Sequence, residues 1–439
     1  MSADPHGAQH PHGAEPPHPA RPPRSVGLPH SVESAHSAGP PHAVGPVPPT
    51  ARPRSSAPPE PPDPAGRPRP CQAVPADRSV AAFDPLAAVR RPGDPAFDVH
   101  LTGTVFLDIV FTGLDHAPAC GTETWARGMG QSPGGIANMA TALARLGLRT
   151  SLAAAFGADV YGDYCWDGLA DGEGVDLTAS RRVPGWHSPL TVSMAYDGER
   201  TMVTHEHPAP PAGSRPPRAR GCVTVLEPGR HHGWLRQAHA DGALVFADVG
   251  WDGSGRWQTA ALPDLPYCHA LLPNAAEAQH YTRTPSPERA VRAIADLVPI
   301  AVVTDGAAGA LAVDSLTGEY AQVPGLAVDV LDPTGAGDVF TAGFMTGTLA
   351  GWPLADRLAF GNLTAALSVQ HFGGSLAAPG WPEVAAWWER ASGRTDGPAA
   401  DAEVQRRYRF LDHLLPAELR AGRTGPSRRA LPTLGFRGA

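Results

Sequence analysis

From Phe97 to about Trp388 the chain alternates short, nearly continuous apolar runs with segments of helical spacing, and this alternation limits the fold more than any other feature. "FDVHLTGTVFLDIVF" reads as a first strand, rich in β-branched and apolar residues and followed by a loop carrying Gly113 and Pro118. "GGIANMATALARLG" sets Ile136, Met139, Ala140, Leu143 and Leu146 on one helical face and ends at Gly147 as a C-cap. "LRTSLAAAFG" predicts a short second strand, and "VYGDYCWDGLADGEGVD" a helix and turn. Further strands are expected at "GALVFADV", "CHALLPN" and "IAVVTDG", each followed by a helix. Strands without polar alternation are buried on both faces, which predicts a mostly parallel sheet covered by helices on each side. "LTVSMAYDGERTMVTH" differs: two extended runs meet at Asp197-Gly198, a strong hairpin signal. No internal repeat is evident.

Composition divides the chain into three. Half of the 50 prolines and many of the 19 histidines fall in the first hundred residues. Residues 1–95 lack the apolar periodicity that offsets ordering entropy, so they are expected to form a disordered Pro/His-rich arm, with its histidines solvated rather than ligating. Residues 96–392 carry the strand and helix pattern. Residues 393–439 are expected to be an extension with one helix in "AEVQRRYRFLDHLLPAELR", then a loose arginine-rich tail.

No apolar run reaches the ~18 residues of a membrane span, and no charged segment precedes an apolar core at the N-terminus, so a cytoplasmic protein is expected. The 5 cysteines are scattered without a C-x-x-C pair, which argues against a disulfide framework or zinc site. A formal charge of -8 opposes a nucleic-acid footprint. The chain contains no lysine: all 35 basic residues are arginine. That excludes every mechanism that needs a lysine, including the P-loop, the protein-kinase strand lysine and Schiff-base chemistry. Any phosphate chemistry must rest on backbone amides, arginine and a metal.

"DPTGAGDVFTAGF", Asp332 to Phe344, is the stretch where such chemistry fits. Pro333 stiffens the approach, Gly335 and Gly337 bare the backbone, and the N–H groups from Gly335 through Ala336 to Asp338 open a helix, where an anion is favoured. An aspartate at an anion site makes sense as the base that takes a proton from an attacking hydroxyl. Early helical aspartate is also ordinary capping, but the full string is specific. Gly134-Gly135 with Asn138 would let a ligand approach a helix start and bond a hydroxyl pair, or would simply be a polar first turn. Asn274 and Glu277, three apart after "HALLP", could face a hydrated magnesium, or form a capping box. Asp108 in so apolar a strand is a cap or a ligand for sugar hydroxyls. Asn362, the lone polar residue of an apolar helix, is a core amide or a nucleotide contact. His205, Glu206 and His207 resemble a metal trio, but neighbours on a strand point to opposite faces.

Taken in order, these pieces closely resemble the ribokinase-like (PfkB) family of carbohydrate and nucleoside kinases. "GGIANMATALARLG" is similar to the family's first signature, "DPTGAGDVFTAGF" to its second, and "PNAAE" to its Asn-x-x-Glu element. The resemblance covers about Phe97 to Trp388. It implies a three-layer α/β/α sandwich with a small β lid built from the first strands and the Asp197-Gly198 hairpin. It implies Asp338 as catalytic base, Gly335, Ala336 and Gly337 as anion hole, and Asn274 and Glu277 as organisers of Mg²⁺. Asp108, Gly134, Gly135 and Asn138 would grip the substrate, and Thr304, Gly306, Gly309 and Asn362 would line the nucleotide site. The implied cofactors are ATP and Mg²⁺, with a monovalent cation as a further candidate. The implied partner is a small sugar or nucleoside, and a homodimer through the lid is a candidate assembly.

Phe106 stands where ribokinase itself has an asparagine, which speaks against ribose. Trp125, Met129 and Trp186 point to a more apolar pocket or to the lid's own core. The expected activity is transfer of the γ-phosphoryl group of ATP to a hydroxyl of a sugar, sugar acid or nucleoside. The alternative is a catalytically weak sugar- or nucleotide-binding regulator on the same scaffold. An NAD-dependent oxidoreductase would need Gly-x-Gly-x-x-Gly after the first strand, and "LTGTVFLDIVFTGLD" has none.

Overall fold

The computed structural model describes residues 83–196, 199–208, 210, 216–250, 252–393 and 399–422. Most of the expected Pro/His-rich arm, the Asp197-Gly198 turn and the arginine-rich end lie outside them.

The chain opens with β1 (Phe97–Thr102), β2 (Val105–Thr112), β3 (Gly128–Gly135), α1 (Ile136–Arg145), β4 (Thr150–Ala153), β5 (Ala155–Gly157) and α2 (Val160–Asp167). There follow β6 (Arg181–Val183), β7 (Leu190–Tyr196), β8 (Glu199–His205), β9 (Ala219–Leu226), α3 (Gly233–Ala240), β10 (Leu244–Val249) and β11 (Ala270–Leu271). Then come α4 (Ala275–Thr282), α5 (Pro287–Ala295), β12 (Ile300–Thr304), β13 (Ala310–Asp314), β14 (Glu319–Val323), α6 (Ala336–Leu349) and α7 (Leu354–Ser368). The last helices are α8 (Gly374–Ala377), α9 (Trp381–Ser392), α10 (Ala399–Tyr408), α11 (Leu411–Leu414) and α12 (Ala417–Arg420).

Eight strands form the main sheet in the order β14-β13-β12-β11-β10-β9-β1-β4. From β4 to β12 neighbouring strands are parallel; β13 is reversed, pairing antiparallel with both β12 and β14. The doubly buried strands show why their sequences are apolar throughout. On β10, Phe246 enters the core shared with Leu143 of α1, Phe344 of α6 and Phe360 of α7. Its neighbours Val245, Ala247 and Val249 enter the core shared with Leu235 of α3, Tyr281 of α4 and Val291 of α5. Alternate residues thus feed opposite helical layers, and the sheet is the middle of three layers.

A second sheet in the order β3-β2-β7-β8 forms the lid. The run read as one strand is two. It breaks at Gly103, where a Cβ would sit 2.9 Å from the Ile136 Cβ, so β1 stays in the main sheet and β2 crosses to the lid. β3, "GMGQSPGG", carries no strand signal of its own and is held by eight paired positions along β2, from Val105↔Gly135 to Thr112↔Gly128. β7 and β8 pair antiparallel around the hairpin expected there. "LRTSLAAAFG" likewise divides, with β4 in the main sheet and β5 pairing β6.

Two anchors tie late parts of the chain to the core. Arg145 and Glu173 form a buried pair at 2.7 Å, and Arg145 also donates to the Leu376 and Ala378 carbonyls at 3.0 and 2.6 Å. This joins the end of α1 to α8 and leaves neither charge unpaired. In place of the single C-terminal helix expected after Ala391, α10, α11 and α12 are separated by turns. They seat Tyr408, Leu411, Leu415 and Leu419 in the α-helical core, and Asp412 accepts from the Trp388 indole at 2.9 Å. Among the described residues no helix is long and apolar enough to cross a membrane.

Candidate active site

The start of α6 is a glycine corner held from outside. Gly335, its N-cap, adopts φ 75°, a left-handed conformation that favours glycine. Asp332 is buried; its carboxylate accepts Thr334 N–H at 3.0 Å and Gly373 N–H at 3.1 Å, fastening the turn to the Gly373-Gly374 loop. A Cβ on Gly335 would meet the Asn138 amide at 3.1 Å, and one on Gly374 would meet Asn138 Oδ1 at 2.8 Å. The bare backbone is therefore what lets α1, α6 and the Gly373-Gly374 loop converge. Of the amides expected to cradle an anion, that of Ala336 donates to Pro333 O at 3.2 Å. Gly337 is exposed, and a Cβ there would meet nothing within 4 Å. No packing demands this glycine, and its amide belongs to the open first turn.

Asp338 stands in that turn. Asn138 Nδ2 donates to its Oδ2 at 2.9 Å, joining positions two hundred residues apart in sequence. Burial pushes the Asp338 carboxyl up to about 6, offset in part by the Asn138 bond, which favours the charged form. Such a group is ionised at neutral pH yet basic enough to accept a proton. Asn138 is itself buried, and its Oδ1 has no hydrogen-bond partner among the described residues.

A second acidic group lies at the ends of β10 and β11. Asn274 and Glu277 form a reciprocal capping box at the start of α4, with bonds of 3.0 and 3.1 Å. Their spacing is thus explained by the helix start whatever else they do. Asp248, at the end of β10, had no sequence signal. Burial raises its carboxyl well above the ordinary range, and the negative charges of Glu277 and Asp338 raise it further. Burial raises Glu277 as well, against its bonds to Asn274. A cation would relieve all three. Among the described residues no three acidic, histidine or cysteine side chains lie close enough to hold a metal directly. Asp248, Asn274 and Glu277 supply oxygens that could face a hydrated Mg²⁺, an ion that keeps several of its waters.

The expected nucleotide residues gather on the next strands. Thr304 bridges Asn274, and its N–H donates to Pro273 O at 3.2 Å, which joins this wall to the acidic group. Gly306 and Gly309, φ 50° and 100°, turn β12 into β13. A Cβ on Gly309 would collide with the Val323 carbonyl and the Pro324-Gly325 backbone. Asn362 donates to the Val323 and Pro324 carbonyls at 2.9 and 3.3 Å. It is placed as a satisfied core amide that braces this wall.

A cavity of about 680 Å³ lies over the carboxyl ends of the parallel strands, the usual ligand position in such sheets. Gly135 and Asp338 line it. Asp108 does not: it sits in mid-β2, not at a strand end, and its carboxylate lies against Gly134, where a Cβ would collide with it. Phe106, two residues earlier on the same face of β2, lines the cavity instead. Further lining comes from the loop after β9, with Glu227, Arg230, His231 and His232, and from Trp234 in the first turn of α3. None of these was singled out from the sequence, where "LEPGRHHGW" has no motif; the position after a parallel strand was the available signal. The His205 and His207 rings lie 4.9 Å apart, and no metal group forms around them among the described residues.

The family model described as pfkB family carbohydrate kinase matches residues 104–212 and 232–381. The chain is 29% identical over 299 residues to bifunctional protein HldE of Halorhodospira halophila (strain DSM 244 / SL1), covering 63% of this chain and 59% of that protein. It is 34% identical over 139 residues to fructoselysine 6-kinase of Shigella flexneri, 31% of this chain and 49% of that one. The matched segments thus span about half to three fifths of these relatives. Among solved structures, the ribokinase of Arabidopsis thaliana complexed with ribose and ATP superposes with a TM-score of 0.54 at 23% identity, covering 65% of this chain and 96% of that chain. The family match takes in the Gly335 corner, Asp338, Asn138 and the Asn274/Glu277 pair over more than half of the chain, which belongs to the pfkB family of carbohydrate kinases on a ribokinase-like fold.

Proposed function

We propose that this protein is an ATP-dependent kinase that phosphorylates a hydroxyl of a small polyhydroxylated molecule, with Asp338 as the base. The observation that carries the reading is Asp338 itself: a carboxylate lining the cavity, raised to about 6 by burial and aimed by Asn138, in the first turn of a helix whose glycine corner suits an anion.

The acceptor hydroxyl lies against Asp338 Oδ. As its oxygen bonds to the γ-phosphorus its proton passes to Asp338, and the bond from phosphorus to the β–γ bridging oxygen breaks, releasing ADP. The open amides at the start of α6 face the charge spread over the phosphoryl oxygens. Asp248, Asn274 and Glu277 would hold hydrated Mg²⁺, which supplies positive charge to the phosphates. Thr304 and the Gly306 to Gly309 turn offer the adenosine side a wall. The lid sheet, with Phe106 over the cavity, excludes water from the transfer.

The test is ADP release from MgATP in the presence of a panel of sugars and nucleosides. Acceptor-dependent release, reduced by ~10²–10⁴ in Asp338→Asn, is the expected result for loss of a general base. Acceptor-dependent release that is unchanged in that variant would refute the assignment of the base. Ligand binding without release from any acceptor would favour a regulatory binding protein.

A further inference from the structure

The part of the cavity lining that follows β9 has an unusual build. His231 and His232 each direct Nδ1 at one carboxylate, that of Asp264, at 2.6 and 3.1 Å, and the His232 N–H donates to the same group at 2.5 Å. Asp264 is only 1% exposed. With Nδ1 of each ring committed, Nε2 is the nitrogen left to act on the cavity. Arg230, on the same wall, is paired at 2.8 Å with both carboxylate oxygens of Glu227, and Glu206 closes the rim from the lid.

The signs of these groups decide what the wall can hold. Asp338, Glu206, Glu227 and the supporting Asp264 are four carboxylates, set against one arginine and two imidazoles. Among the described residues of the cavity, Asp338 included, the charge stays negative even with both rings protonated, and more so with neutral rings. Neutral Nε2 atoms and carboxylate oxygens accept hydrogen bonds, which suits hydroxyl or ammonium donors. Phe106 and Trp234 add apolar faces for the carbon side of a ring.

We infer that the acceptor is an uncharged or amine-bearing polyhydroxy compound, selected by Glu206, Glu227, His231 and His232, and that sugar acids and sugar phosphates are excluded. The inference rests on the kinase reading above and names the substrate class of that same cavity.

The test uses matched sets built on fructose, ribose and glucose: parent sugar, amino-deoxy sugar, sugar acid and sugar phosphate. Binding of each to the full chain is measured by calorimetry, and turnover with MgATP in parallel. Parent or amino sugars are expected to bind at least about tenfold more tightly than their anionic counterparts, as repulsion within a low-dielectric cavity requires. The doubly neutralised Glu206→Gln/Glu227→Gln protein, checked for an unchanged melting temperature, should narrow that gap several-fold. Tightest binding of an acid or phosphate member would overturn the inference even if the enzyme turns over. The expected binding order with no turnover would leave the inference standing and refute the kinase.

Discussion

Asn138→Leu separates the base from its partner with little change in volume. The Asn138 amide donates at 2.9 Å to Asp338 Oδ2 and opposes the upward push of burial on that carboxyl. A hydrogen bond to a charged group contributes about 1.5–3 kcal/mol, and one pKa unit is about 1.4 kcal/mol. Because Asp338 is partly open to the cavity, screening favours the lower end, a rise of about one unit. The acid limb of kcat/KM, expected near pH 6 in the parent, should move to about pH 7. At pH 6 the ionised fraction then falls about fivefold, from roughly half to roughly one tenth. The assay is kcat/KM from pH 5 to 9 in buffers of constant ionic strength. If Asn138 also bonds the acceptor, its removal lowers the whole curve in addition to moving the limb. An active variant with its acid limb still near pH 6 would refute the reasoning.

Three further outcomes are expected. Asp338→Asn should stabilise the fold as it lowers activity. A carboxyl raised to about 6 binds its proton more tightly folded than unfolded, so stability is lost as pH rises from about 4 through 6, and the substitution returns ~1–3 kcal/mol at pH 7.5. Urea unfolding should show that gain at pH 7.5 and none near pH 4; equal stability at both would contradict the buried ionised group. Glu173→Ala leaves buried Arg145 uncompensated and should cost ~3–5 kcal/mol, read as a lower urea midpoint; a loss under about 1 kcal/mol would mean the pair is not sealed. Gly335→Ala imposes a left-handed conformation costing ~1–2 kcal/mol and crowds the Asn138 amide, so kcat should fall more than the melting temperature alone explains. Parent-like kcat there would show the corner to be tolerant.

The layers of this fold were legible because its strands are buried on both faces. Phe246 and its neighbours Val245 and Ala247 serve opposite helical layers, so β10 reads as an unbroken apolar run. The features that were not legible are set by tertiary contact. β3 is a run of glycine, serine and proline that becomes a strand only through its pairing with β2, and the β1/β2 break depends on the close approach of Gly103 to Ile136. At the site, "DPTGAGDVFTAGF" marked the corner and its aspartate, since glycine spacing before a helix has a local physical cause. Asp248, Glu227 and the His231/His232 pair have no such local cause. Each is a single residue or doublet at or beyond a strand end, given meaning only by the groups brought beside it. Asp108 was conspicuous as an acid in an apolar strand, and the structure sets its carboxylate against Gly134 while Phe106, on the same face of β2, lines the cavity.

The central claim is that the γ-phosphoryl group passes to an acceptor hydroxyl with Asp338 as base. The most direct measurement supplies ATP labelled in the γ-phosphate and asks where the label goes, in the parent protein and in Asp338→Asn. The account predicts label on the acceptor in the parent and transfer slower by at least about a hundredfold in the variant. Label released only as inorganic phosphate, or equal transfer by both proteins, would contradict it.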